Sequence, residues 1–249
     1  MASSVSSTST TTTSERCTAT TRKGTPCSRK AVSGQTRCKS HIGCESPTET
    51  EDIYTASALR DRFDGFIRSC REVLAFKEKY GIRSVRMPIM DEDISENIIK
   101  FIINYKLGDP SCKWTKGIAK KGDKISGDLI SATTGAIECK CFTSDGPISF
   151  GPTEKWNEIY FLDARQTMEN HFRIYRVPLA NSSDTWKSLN ISKTQTFEDQ
   201  CKQARRPRII WESLYPQIET YSSLVFEGSA EDIFALLEST PSAVASGSE

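Results

Sequence analysis

Apolar positions recur at helical spacing near the start of the main body of the chain. Ala56, Leu59, Phe63, Phe66, Ile67, Cys70, Val73 and Leu74 share one face, and Gly81 supplies a stop. A second helix starts near Asp93, covers ISENIIKFIINYK and ends at Gly108. The period then changes from 3.6 to 2. SGDLISA and AIECKCF read as short strands separated by Thr133-Thr134-Gly135, and NEIYFLDA and FRIYRVPL as two more. Farther along, Thr196-x-x-Asp199 has the form of a capping box opening a helix through Gln203. RIIWESLYPQI reads as a further helix whose start is blurred by Pro207. Helices flanking a cluster of strands predict an α/β fold with a mixed central β-sheet.

Composition narrows the class. The 249 residues suit one large domain, or one domain and a small module. A hydrophobic fraction of 37% with 26% charged residues fits a globular core with polar tails. No apolar run approaches the ~20 residues that span a bilayer, and the first residues lack the apolar region of a secretory signal. These features predict an intracellular protein that does not enter a membrane. Nine cysteines, an odd number, favour thiols or metal ligands over disulfides.

The formal net charge of +1 hides an asymmetry: residues 1–50 carry +4 and residues 51–249 carry −3. Residues 1–15 are a Ser/Thr-rich tail, expected to be disordered because they cannot bury enough apolar surface to offset chain entropy. Residues 16–42 form a basic, Cys-rich segment, 43–51 a polar linker, 52–238 the main domain, and 239–249 a second loose tail. In the basic segment Cys17, Cys27, Cys38 and His41 supply the thiolate and imidazole donors of a closed tetrahedral Zn²⁺ shell. Gly24-Thr25-Pro26 and Ser33-Gly34 are turn formers that fold the chain back to the metal. So small a unit needs the metal's free energy to fold. Cys44, three residues past His41, competes for the fourth place, and a polar linker with incidental cysteines is the alternative.

The chemistry concentrates in the middle of the body. In a strand, residues i and i+2 share a face, so Glu138 and Lys140 point one way and Ile137, Cys139 and Cys141 the other. A three-residue loop at Thr133-Thr134-Gly135, with Gly in the left-handed position, pairs Ala132 with Ala136 and Asp128 with Lys140. Asp128 then joins the same face. Two hard oxygen donors there can hold Mg²⁺ with positions left for water and a phosphate oxygen. An ammonium beside them can orient the water and offset developing charge. Glu96, in the first turn of the second helix, lies on the side of Ile99 and Ile103 and borders the buried stripe. The bland alternative is an exposed Glu138–Lys140 ion pair on a solvated strand.

A helix carrying Ser95-Glu96, then Gly127-Asp128 at one strand and Glu138-Cys139-Lys140 on the next, resembles the PD-(D/E)XK nuclease superfamily, in the style of type II restriction endonucleases. The usual Pro before the Asp is replaced by Gly127. The resemblance implies a restriction endonuclease-like core and a site-specific deoxyribonuclease. It implies Asp128 and Glu138 as Mg²⁺ ligands, Lys140 as the water-orienting residue and Glu96 as an accessory acid. It also implies a homodimer acting on double-stranded DNA and leaving 5′-phosphates. The stretch from Cys17 to His41 resembles a Cys₃His module at the ends of nucleases and other proteins of large DNA viruses, which implies a viral protein acting in the host cell.

Three groups are candidates to face DNA. Ser144 and Ser149 lie in a Gly/Ser-rich loop that allows close approach of a phosphate backbone. Lys120 and Lys121 belong to a lysine-rich stretch, Lys113 to Lys124, before the Asp strand. Gln203, Arg205, Arg206 and Arg208 have side chains that pair with adenine and guanine edges or clamp phosphates. Two other functions stay open: a structure-specific repair or nicking nuclease, and a non-enzymatic zinc-containing DNA-binding adaptor. No Gly-rich nucleotide loop is present, which argues against ATP-dependent cutting.

Overall fold

A computed structural model describes residues 27–29, 31, 54–118 and 126–238. Contacts divide the chain into two units, Met1–Glu51 and Asp52–Glu249. In the first unit Cys27 is buried, whereas Cys17, Cys38 and His41 lie outside the described residues, as do Lys120 and Lys121.

The second unit begins with a 25-residue helix α1, Ala56–Tyr80. Thr55 caps its start by accepting from Ala58 N, and Gly81 closes it at φ 63°. Its buried positions are Leu59, Phe63, Phe66 and Cys70. Val73 and Leu74 are not in the core, so the apolar stripe read from the sequence extends one turn past the packed face. Helix α2, Glu92–Phe101, follows, and its last turn widens into a π-helical segment, Ile102–Lys106. Then come β1 (Lys113–Trp114), the short α3 (Thr115–Ile118), β2 (Leu129–Ser131), β3 (Gly135–Phe142), β4 (Ile148–Ser149), β5 (Glu158–Gln166) and β6 (His171–Val177). The remainder is α4 (Asp184–Lys187), β7 (Asn190–Ser192), β8 (Gln195–Thr196), α5 (Phe197–Lys202), β9 (Arg208–Ile209), α6 (Trp211–Ile218), β10 (Ser223–Gly228) and α7 (Ala230–Glu238).

Six strands form one mixed sheet in the order β1-β2-β3-β5-β6-β10, and only β3 and β5 run parallel. Parallel neighbours need a crossover, and the excursion through β4 supplies it. The sheet is covered on both faces, so β5 shows no polar side. Tyr160, Leu162 and Ala164 pack toward α1, α2 and α7, while Ile159 and Phe161 enter a second core with Phe150, Trp186 and Trp211. That alternation into two cores is why EIYFLDA reads as a nearly continuous apolar run. The second core is held by edge-to-face aromatic pairs, such as Trp156 and Trp186 with centroids 5.5 Å apart at 89°.

The hairpin register differs from the sequence reading by two residues. Ser131 pairs with Gly135 and Leu129 with Ile137, which sets Asp128 opposite Glu138 rather than Lys140. Ser131 causes the earlier reversal. Its buried hydroxyl donates to Asp109 Oδ2 at 2.5 Å and accepts from Thr133 N and Thr134 N at 3.0 and 3.1 Å. The chain therefore turns at Ala132-Thr133-Thr134, and Gly135, at φ 85°, starts the return strand. A shift of two preserves face parity, so Asp128 and Glu138 still share a side. Ser131→Ala removes the acceptor of two loop N–H groups and one of the donors to Asp109, which keeps Ser111. It is expected to cost about 1–3 kcal/mol in urea unfolding, and an unchanged midpoint would contradict the role of this hydroxyl.

Candidate active site

Asp128 is held by its backbone before its side chain is considered. Its N–H donates to Ile137 O at 2.9 Å, and its own carbonyl accepts from Thr115 N at 3.0 Å and Thr115 Oγ1 at 2.8 Å. The carboxylate Oδ2 accepts the Cys139 N–H at 2.9 Å, which aims Oδ1 outward. Gly127 makes this junction possible. It sits at φ 82°, and a Cβ there would meet Ile137 O at 2.8 Å and Ile137 N at 2.9 Å.

Glu138 is 3% exposed, on the face of β3 that the period-2 reading gave it. Lys140 Nζ donates to Glu138 Oε1, stands 3.6 Å from Glu154 Oε2 and lies 5.7 Å from the Phe150 ring centroid. The ammonium is thus fixed by two carboxylates and an aromatic face. The solvated ion pair of the bland reading is not what forms: only 4% of the Glu138 side chain and 17% of the Lys140 side chain are accessible.

Glu96 comes from α2, also buried at 3%. Trp114 Nε1 donates to its Oε2 at 2.6 Å and Lys116 Nζ to its Oε1 at 2.7 Å. Lys116 bridges further, to Glu92 at 2.7 Å and to Asp128 Oδ1 at 4.0 Å. Glu96, Asp128, Glu138 and Lys140 all line one cavity of about 470 Å³. Ser144, Ser149 and Arg206 border the same cavity, and the Ser149 hydroxyl is sequestered with no hydrogen-bond partner among the described residues. Gln203, Arg205 and Arg208 do not line it: Gln203 accepts from Gln195 Nε2 at 3.3 Å, and Arg208 pairs with Ser149 across the β4–β9 ladder.

Burial and mutual repulsion raise the proton affinity of these acids. Burial, then the Asp128 charge, pushes Glu96 up to about 7, with Lys116 and Trp114 opposing. Burial likewise pushes Glu138 up to about 8, against the attraction of Lys140, and Asp128 adds to the rise. From the ordinary value of 4.5, each carboxyl binds its proton more tightly folded than unfolded. Stability is therefore greatest below about 4.5 with respect to these two groups and is lost as pH rises through about 8. Thermal unfolding without divalent cations should show Tm falling by several degrees from pH 5 to pH 8, and Glu138→Gln should flatten that slope. A Tm that rises across the window would contradict this electrostatic picture.

Among the described residues no three His, Cys, Asp or Glu side chains form a ready metal shell. Mg²⁺ rarely uses one, taking one or two carboxylates and keeping several waters. The donor set fits such an ion: hard oxygens, clustered negative charge, and Asp128 Oδ1 directed away from its one backbone hydrogen bond.

Sequence comparison decides the family. The Bsp6I restriction endonuclease family matches residues 63–217, more than half of the chain. The chain belongs to that family. Membership in the Bsp6I restriction endonuclease family agrees with the mixed sheet flanked by helices. A curated relative, the type II restriction enzyme Bsp6I of Bacillus sp. (strain RFL6), is 28% identical over 154 residues, 60% of this chain and 78% of that protein. No solved structure matches. The Bsp6I-family match runs from inside α1 to the end of α6, so it takes in every described cavity-lining residue named above.

Three neighbours of the site escaped the sequence reading of its chemistry. Glu154 reaches Lys140 from the crossover loop, where it also accepts the Gly151 N–H at 2.7 Å. Trp114 orients Glu96. Lys116, which the sequence placed in a lysine stretch that could track phosphates, is tied to three carboxylates.

Proposed function

We propose that this protein is a site-specific endodeoxyribonuclease that hydrolyses phosphodiester bonds of double-stranded DNA. One observation carries the reading: a helix Glu, a hairpin Asp and an E-x-K pair, distant in sequence, line one cavity in a chain of the Bsp6I restriction endonuclease family. Asp128 and Glu138 would hold Mg²⁺. When bound, that ion polarises the phosphate and makes the attacking water more acidic.

The chain's own residues supply the rest. Lys140, fixed between Glu138 and Glu154, presents its remaining N–H to the attacking water and offsets negative charge gathering on the phosphate. Glu96 stays beside Asp128 as an accessory acid, its carboxylate steered by Trp114 and Lys116. Ser144, Ser149 and Arg206 border the cavity where a backbone phosphate would rest, and Gln203, Arg205 and Arg208 would act farther along the duplex. Lys120 and Lys121 are proposed as phosphate contacts from the sequence alone. The water oxygen bonds to phosphorus as the bond to the 3′ oxygen breaks; the water gives up a proton to solvent and the departing 3′ oxygen takes one from solvent, which leaves a 5′-phosphate and a 3′-hydroxyl.

Two further proposals rest on the sequence alone. Cys17, Cys27, Cys38 and His41 bind a structural Zn²⁺, supported by their spacing and ligand chemistry. The active species is a homodimer, supported by the need to cut two strands. Digestion of a plasmid of known sequence with purified protein and Mg²⁺ tests the main reading. Discrete fragments with 5′-phosphates are expected. Cutting only at junctions or nicks would assign a repair nuclease instead, and intact DNA would remove the enzymatic reading.

A further inference from the structure

The cavity is an acidic place for a polyanion to approach. Glu92, Glu96, Asp128, Glu138 and Glu154 all border it, in a body whose net charge is −3. Phosphate attraction must therefore come from cations near its mouth that are not already neutralised. Arg60, Arg62, Arg165, Arg173 and Arg176 are each matched with a carboxylate. Arg83 and Arg86 are not. Both are exposed, and neither makes an ion pair with any described residue.

These two arginines belong to the segment 82–90 that joins α1 to α2. It has no helix or strand, and from Arg83 to Met90 its N–H groups make no backbone hydrogen bond to described residues. Its end borders the catalytic cavity through Ile89 and Met90. Met90 is anchored in the core at 3% exposure, whereas Ile89 is 76% exposed, the most open of the large apolar side chains described. A lone exposed Ile is ordinary on a protein surface. An exposed Ile at the lip of an acidic cavity, three residues from an unpaired Arg, is a different arrangement. Three residues of chain span at most about 11 Å, so Arg86 and Ile89 can reach one stretch of duplex together. Arg68 and Arg71 on α1 also lack ion pairs, but they border a separate cavity with Asp64 and Glu231.

We infer that the segment 82–90 is a DNA-contacting strap, with Arg83 and Arg86 on backbone phosphates and Ile89 against the groove beside the scissile bond. The inference rests on the nuclease reading of the cavity. It adds a contact element on the α1–α2 side of the site, distinct from Arg206.

Fluorescence anisotropy with a mixed-sequence DNA duplex tests it, in a Lys140→Ala background that prevents cutting. The double variant Arg83→Ala/Arg86→Ala should bind severalfold more weakly and lower the slope of log K against log salt by about 0.9 per arginine lost. Ile89→Ala should weaken binding without altering that slope. Because all three side chains are exposed and the two arginines unpaired, circular dichroism and Tm should match the parent. A parent that binds while the double variant is indistinguishable in affinity and slope overturns the strap alone. Unchanged DNA binding with a change from dimer to monomer overturns it too, by assigning the segment to a protein interface. A parent that binds no duplex at any salt concentration overturns the nuclease reading and the strap together.

Discussion

Lys140→Ala should lower single-turnover DNA cleavage by about 10²–10⁴-fold, the range for losing a positioned charged or proton-handling group at the reacting centre. The ammonium is one of few cations inside a cavity bordered by five carboxylates, and Glu138, Glu154 and the Phe150 ring fix its position. Its loss leaves Glu138 buried beside Asp128 with no counter-charge, so Glu138 should hold its proton to still higher pH. Duplex binding should change much less than cleavage, because only 17% of the Lys140 side chain is accessible and its ammonium is already paired with Glu138. Cleavage at the parental rate by a folded Lys140→Ala protein would contradict the assignment.

The second large effect is on folding. Gly127→Ala should destabilise the domain by about 2–4 kcal/mol, combining a left-handed backbone with an overpacked contact. At φ 82° an L side chain is strained, and the atoms a Cβ would strike belong to the Ile137 backbone, inside the β2–β3 ladder, so they cannot move aside. Gly127→Pro should be worse. Proline fixes φ near −65° and cannot reach the observed conformation. Urea unfolding measures both, and a Gly127→Pro protein as stable as the parent would contradict the observed backbone.

Much of the site was legible in the sequence because it depends on periodicity. The alternation of Ile137, Glu138, Cys139 and Lys140 carries the strand and its two faces, and Glu96 followed the stripe of Ile99 and Ile103 into the interior. Register was not legible. It depends on Ser131 hydrogen-bonding a distant Asp109, and loop composition at Thr133-Thr134-Gly135 does not reveal that. Glu154 and Lys116 reach the site from a loop and a four-residue helix, where no period fixes a direction. The strand Ser223–Gly228 was not legible because Phe226 is its one buried residue, so no apolar alternation marks it. The last helix did leave a trace. Ser229-x-x-Asp232 makes the same reciprocal cap as Thr196-x-x-Asp199, with Ser229 N to Asp232 at 2.7 Å and Asp232 N to Ser229 Oγ at 3.1 Å. The segment 82–90 left none, since its meaning lies in which arginines lack partners, and partners are known only from the fold.

Titration calorimetry of Mg²⁺, or of Mn²⁺ as its stand-in, into the metal-free protein at pH 8 tests most directly whether these acids form one cation site. The parent should show saturable binding that Asp128→Asn and Glu138→Gln each weaken at least tenfold while both variants stay folded. Identical isotherms for the parent and both variants would contradict it.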